Sequence, residues 1–289
     1  MWLLVGGDSE IGAAARTSFE AAGHAVVATT RRPDRAATGR PLLELSQPLG
    51  DWQPPAGTRS ACVFAAVARL ASCAGDPQGS AHINVTQTLG VIERLLARDI
   101  HVVFLSTNQV FDGRTPDVAP DAPASPVSEY GRQKARTEAA LKGRMADGAP
   151  LAILRLAKVV SPGMALIDGW IGQLAAGKPI RCFRDMMMAP TPTALVVQAI
   201  EALMADRRPG IYQLTGPRDV AYSEVGRFLA RQIGADASLV DEGSAAEAGQ
   251  PEGATPPNTT LDSRRLRDLY GLEVPDAWDV IEALDGLRP

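Results

Sequence analysis

A chain of 289 residues is long enough for one large or two unequal packed domains. With 45% hydrophobic and 21% charged residues it is not a disordered polymer, and its net charge of −4 denies it the basic face that nucleic-acid binders carry. No stretch approaches the roughly 20 apolar residues of a membrane span, so the expected location is the cytoplasm, away from membranes and nucleic acid.

Trp2–Val5 is a short apolar run without a basic lead, which reads as a buried strand and not as a targeting segment. Helical spacing over Ile11–Ala22 ends at Gly23. A second strand is expected at Ala25–Thr29, a weaker third at Leu42–Leu45 and a fourth at Ala61–Val67. A long helix over Ala81–Ala97 leads to a fifth strand at His101–Ser106. The helix Ser128–Lys142 precedes the strand Leu151–Leu156. This alternation, with strands that are apolar throughout, predicts an α/β fold: a doubly wound, mostly parallel sheet covered on both faces. Beyond residue 157 the pattern loosens. Helices are expected at Ile167–Ala176, Thr193–Ala205, Ser223–Ile233, Asp262–Tyr270 and Trp278–Leu284, with a strand at Ile211–Leu214. Gly243–Pro257 reads as a mobile surface loop. The expected division is a nucleotide-binding domain over 1–160, to which 193–215 returns, and a smaller, mainly substrate-binding region over 161–289.

The first strand runs into Gly6-Gly7-Asp8-Ser9-Glu10-Ile11-Gly12 and then a helix. Small residues there let a pyrophosphate approach backbone N–H groups at a helix N-terminus, where the dipole favours negative charge. Gly6 allows the tight turn and Gly12 the close helix–strand packing. Ser9 stands where a dehydrogenase turn has its middle glycine, with a hydroxyl small enough to face a phosphate. Gly6, Ser9, Glu10, Ile11 and Gly12 are the expected cofactor contacts, with Ala65 and Ala66 beyond the fourth strand and, further on, Asn84, Tyr130 and Lys134. After the second strand comes Thr30-Arg31-Arg32 in place of the carboxylate that holds a free ribose 2′-OH. Two guanidinium groups suit a 2′-phosphate, so NADP(H) is expected in preference to NAD(H).

The fifth strand ends in Ser106-Thr107, at the sheet edge where ligands bind in open α/β folds. Downstream, Tyr130 and Lys134 are four apart and share a helix face. A lysine beside a phenol lowers its pKa towards working pH, and such a phenol is a general acid for a carbonyl receiving hydride. Thr107 would hydrogen-bond the same carbonyl oxygen. Asn84, a poor helix former inside a helix, is placed to kink it and to support Lys134 through water. The basic set holds only four lysines among 29 cations, and the three cysteines, Cys62, Cys73 and Cys182, have no metal-ligand spacing and read as free buried thiols. No metal is expected.

Several stretches together resemble dTDP-4-dehydrorhamnose reductase and its relatives, a branch of the extended short-chain dehydrogenase/reductases. They are Gly6–Gly12, Ala81-His-Ile-Asn-Val85, Leu105-Ser-Thr-Asn-Gln-Val-Phe-Asp-Gly113, Tyr130-Gly-Arg-Gln-Lys134, Leu154-Arg-Leu156, Pro190-Thr-Pro192 and Asn258-Thr-Thr-Leu-Asp262. The resemblance implies Thr107, Tyr130 and Lys134 as the catalytic group, with Lys134 also on the nicotinamide ribose. It implies NADPH reduction of a 4-keto-6-deoxy nucleotide sugar. Asn108, Gln109, Val110 and Phe111 are then expected to face the substrate, with Asp112 and the Pro-rich loop to Pro126 framing the pocket. Met186–Met188 is read as core packing or a pocket lining, and Arg155 as a diphosphate ligand or a partner of a carboxylate. A homodimer through the helices flanking the sheet is implied by the family alone.

The departures lie at Ser9, at Asn108-Gln109 in place of Asp-Tyr, and at Ala65–Ala74, which lacks the family's acids. Two further readings share the scaffold: a nucleotide-sugar epimerase, and a catalytically silent NADP-binding regulatory subunit such as that of methionine adenosyltransferase.

Overall fold

The computed structural model describes residues 1–284; residues 285–289, the end of the expected C-terminal region, lie outside the described residues. The strands, in chain order, are β1 (Trp2–Val5), β2 (Val26–Ala28), β3 (Ser60–Val63), β4 (His101–Thr107), β5 (Leu151–Leu156), β6 (Val159–Val160), β7 (Ile180–Phe183), β8 (Met187–Met188), β9 (Thr191–Pro192), β10 (Gly210–Leu214), β11 (Val220–Ala221) and β12 (Val240–Gly243). The helices are α1 (Glu10–Ala21), α2 (Leu70–Gly75), α3 (Pro77–Ala81), α4 (Thr88–Leu96), α5 (Glu129–Ala146), α6 (Ala165–Ala175), α7 (Thr193–Asp206), α8 (Tyr222–Gln232), α9 (Arg264–Tyr270) and α10 (Ala277–Glu282).

Six strands form one sheet in the order β10-β5-β4-β3-β1-β2, every neighbour parallel. Alternate side chains of each strand enter opposite layers, as the pleat requires. Val103 and Leu105 of β4 pack with Ala15 and Phe19 of α1 and Val196, Ile200 and Leu203 of α7. Val102 and Phe104 pack on the other face with Val91, Ile92 and Leu95 of α4 and Leu141 of α5. Covered on both sides, these strands are buried along nearly their whole length and mostly apolar, which is the doubly wound fold the sequence predicts. Order reverses between β1 and β3, and this switch point opens a crevice at the carboxyl edge.

No third strand forms at Leu42–Leu45. Thr30 makes one parallel bridge with Leu42, the Leu43 N–H donating to its carbonyl and its own N–H to Pro41. The pairing stops there because the partner edge ends: β2 closes at Ala28 and the chain turns out to carry Arg31 and Arg32. The segment between β3 and α4, with Gly75, Asp76, Pro77 and Gly79, resembles a loop in sequence. It folds as α2 and α3 because Asp76 caps α3, its carboxylate accepting the Gly79 N–H.

A second core lies beyond the sheet, where Ile167, Trp170 and Leu174 of α6 meet Val225 and Leu229 of α8 and Val280 and Ile281 of α10. Three short strand pairs, β7 with β12, β8 with β11 and β6 with β9, tie this part together. Among the described residues no helix is long and apolar enough to cross a membrane.

Candidate active site

The turn after β1 is closed by contacts that only glycine permits. Gly6 has φ +87°, and a Cβ on it would sit 2.7 Å from the Ala65 nitrogen; one on Gly12 would sit 2.7 Å from Ser9 Oγ. Ser9 lines the cleft beside the turn, and its hydroxyl is hydrogen-bonded within the turn itself. It is taken up as the cap of α1, donating to the Gly6 carbonyl at 2.9 Å and accepting from the Gly12 N–H at 3.1 Å. That leaves the first-turn N–H groups of Glu10 and Ile11, which have no intrahelical partner, for an anion. Their side chains go elsewhere: the Glu10 carboxylate meets the Ser161 hydroxyl, and Ile11 packs on the sheet. A cleft beside the turn is lined by Gly6, Asp8, Ser9, Thr29, Arg31, Arg32, Glu44, Ala65, Ala66 and Val67, among others.

A second cavity begins where that wall ends, at Ala68–Ala71, and holds Thr107, Asn108, Gln109 and Tyr130. Thr107 closes β4 and caps the short turn Asn108–Val110: its Oγ1 accepts the Gln109 N–H at 3.2 Å and donates to Asn108 Oδ1 at 3.3 Å. Ser128 caps α5 through the Gly131 N–H at 3.0 Å and starts the helix that carries Tyr130 and Lys134. Lys134 is buried, its Nζ donating to the Leu105 carbonyl at 2.7 Å and lying 4.3 Å from the centre of the Phe104 ring. Burial draws its pKa down to about 8, against the upward pull of Glu138 and Cys73.

The expected lowering of the Tyr130 phenol by Lys134 is not what this geometry produces. Burial first, and then the neighbouring Cys73, push the phenol above its ordinary value, while the ammonium is engaged by a backbone carbonyl. Asn84 also differs from expectation. It sits in a π-helical turn, His82–Gln87, so the kink is real, but its amide is spent on the Val67 N–H (2.8 Å), the Val67 carbonyl (2.9 Å) and Gln133 Oε1 (2.7 Å), not on Lys134. Asn84 thus anchors the cavity wall at Val67 and lines neither cleft.

Three expected substrate residues lie away from the cavity. Val110 and Phe111 form a small core with Leu261, because the turn after Thr107 points them inward. Arg155 is fully buried. It binds Glu138 through Nη2 at 2.7 Å and Nε at 3.0 Å, and Gln213 Oε1 at 2.9 Å, with its guanidinium 4.9 Å from the Phe111 ring centre. Of the two roles open to it, the carboxylate partner is the one present. Asp112 turns to Arg114 and Ser125 and does not frame the cavity. Instead Gln250, Pro251, Ala254 and Pro256, from the segment read as a surface loop, form that wall. Met186 and Met187 line it, and Met188 is core.

Sequence reasoning missed Arg69, Lys158 and Tyr222 in the cavity lining, and Gln133 behind it, while Thr259, also in the lining, belongs to the Asn258–Asp262 stretch that carried the resemblance on the substrate side. Lys158 had a signal: it is one of four lysines and follows the Leu154-Arg-Leu156 block. Among the described residues the cavity lining has two cations, Arg69 and Lys158, and no carboxylate, which suits an anionic ligand.

A family described as RmlD substrate binding domain matches residues 1–284. The chain is 28% identical over 229 residues to a probable low-salt glycan biosynthesis reductase, Agl14, of Haloferax volcanii, covering 76% of this chain and 75% of that protein. It is 29% identical over 184 residues to a dTDP-4-keto-6-deoxy-D-glucose reductase of Streptomyces niveus, covering 63% of this chain and 58% of that one. The fold resembles a crystal structure of dTDP-4-dehydrorhamnose reductase from Bacillus anthracis in complex with NADP, with a TM-score of 0.78 and 16% identity over 97% of this chain and 96% of the other.

Proposed function

Since the chain belongs to the RmlD substrate binding domain family, we propose that it is an NADPH-dependent reductase of a 4-keto-deoxy nucleotide sugar. The observation that carries this is that Thr107 and Tyr130 share one cavity, whose wall continues into the cleft of the glycine turn. The cleft fits NADP(H): Gly6 and Ala65 leave room for close backbone approach, the first-turn N–H groups of Glu10 and Ile11 are unpartnered, and Arg31 and Arg32 stand exposed at the cleft. When bound, the coenzyme supplies hydride to the carbonyl carbon of the sugar.

The chain's own residues do the rest. Thr107 donates a hydrogen bond to the carbonyl oxygen and orients it. Tyr130 gives that oxygen a proton, and a phenol whose pKa is raised keeps its proton until charge develops. This favours the direction of reduction. Lys134, still charged near neutrality, holds the nicotinamide ribose. Asn108 and Gln109 contact the sugar, while Arg69 and Lys158 suit the charge of the nucleotide carrier.

The test is NADPH oxidation against a panel of 4-keto nucleotide sugars, with Tyr130→Phe beside the wild type. Turnover on one panel member is expected, lost by roughly 10²–10⁴-fold in the variant with NADPH affinity retained. Tight NADPH binding without turnover on any substrate would favour the silent regulatory subunit. No binding of NADPH would remove the central claim.

A further inference from the structure

A carboxylate occupies the cleft that suits the 2′-phosphate. Asp8 lines the same wall as Arg31 and Arg32, and like charge there would repel a phosphate. The carboxylate is not left open to ligand. Its Oδ2 accepts the Thr30 hydroxyl at 2.5 Å and the Arg31 N–H at 3.3 Å, and its Oδ1 takes the guanidinium of Arg40. Burial works to raise its pKa, but the hydrogen bonds from Thr30 and Arg40 outweigh it and the carboxyl stays below its usual range. Asp8 is therefore ionised at neutral pH, with Arg40 as its counter-charge. The other carboxylate on the wall, Glu44, is turned to the Ser46 N–H at 2.8 Å. Arg40 reaches Asp8 because the chain doubles back after Arg32, brought to the sheet edge by the Thr30–Leu42 bridge.

We propose that Arg40 is a positioning residue for coenzyme choice: by neutralising Asp8 it makes the cleft accept the 2′-phosphate of NADPH in preference to the free hydroxyl of NADH. This rests on the NADP(H) reading above. Freed of Arg40, Asp8 presents an unpaired carboxylate, which attracts ribose hydroxyls and repels phosphate.

The experiment measures dissociation constants of NADPH and NADH, by nicotinamide fluorescence, for wild type, R40Q, D8N and D8N/R40Q. The wild type should prefer NADPH. In R40Q the NADPH-to-NADH preference should fall by on the order of tenfold, the loss expected for one uncompensated like charge in a partly solvated cleft. NADH affinity should hold or improve, which shows that the fold is intact. In D8N/R40Q the preference should return to within about threefold of wild type. A preference unmoved in R40Q overturns the inference and leaves the NADP(H) reading standing. A double variant that stays as impaired as R40Q also overturns it, since Arg40 would then act on the phosphate directly or on the fold. A wild type that binds neither coenzyme, or prefers NADH, sinks the NADP(H) reading and this inference with it.

Discussion

Arg155→Met tests whether Arg155 is a structural partner or a ligand of the substrate. The guanidinium is 0% exposed and Glu138 is 1% exposed. Removing the arginine leaves Glu138 with the Ser106 hydroxyl at 2.6 Å and Lys142 Nζ at 3.8 Å as its remaining polar company. An uncompensated buried carboxylate costs roughly 3–5 kcal/mol. At about 2 cal/mol/K of unfolding entropy per residue, a chain of 289 residues converts this to a fall in Tm of roughly 5–8 °C. Thermal unfolding of wild type, Arg155→Met and Arg155→Met with Glu138→Gln is the assay, with KM for the nucleotide sugar alongside. The single variant should melt early and the double variant should recover most of the loss, because the charge has gone with its partner. KM should hold in both. An unchanged Tm with a raised KM would refute the reasoning and return Arg155 to the substrate.

Three further outcomes are expected. The Lys134 ammonium, with a pKa near 8 instead of its ordinary 10.5, loses its charge as pH rises through about 8, so NADPH affinity should fall above that pH; a profile flat to pH 10 would contradict its role. His101 is buried, and burial first, then Arg207, lowers its pKa to about 4. Between about pH 6.5 and 4 the unfolded chain therefore binds a proton that the folded one does not. Stability should drop by about 2 kcal/mol from pH 7 to 5 on this account, and chemical denaturation of His101→Leu should show a shallower acid slope. A Cβ on Gly131 would lie 2.1 Å from the Gln109 carbonyl oxygen; Gly131→Ala should cost roughly 1–3 kcal/mol and lower kcat more than coenzyme affinity, since the displaced turn carries Thr107.

The regular part of this protein was legible in its residues. The apolar run Trp2–Val5 and the run Leu151–Leu156, apolar but for Arg155, coincide with β1 and β5, because strands buried on both faces have little polar register. The glycine turn was legible because no other residue fits where helix and strand backbones touch. The four-residue spacing of Tyr130 and Lys134 placed them on one helix, a local property that needs no tertiary information. Which partners the polar groups take was not local. Ser9 faces its own helix, Asn84 the Val67 backbone, and Lys134 the Leu105 carbonyl 29 residues back in the chain. Arg155 and Glu138 meet across a strand and a helix, and Asp8 and Arg40 across a loop held only by isolated bridges. The cavity wall from Gln250 to Pro256 has no periodicity to announce it and is positioned by the fold alone. Periodicity and steric necessity are written in sequence neighbours; the direction of a hydrogen bond or the sign of a pKa shift depends on what burial and distant segments bring beside it, and that only the tertiary structure decided.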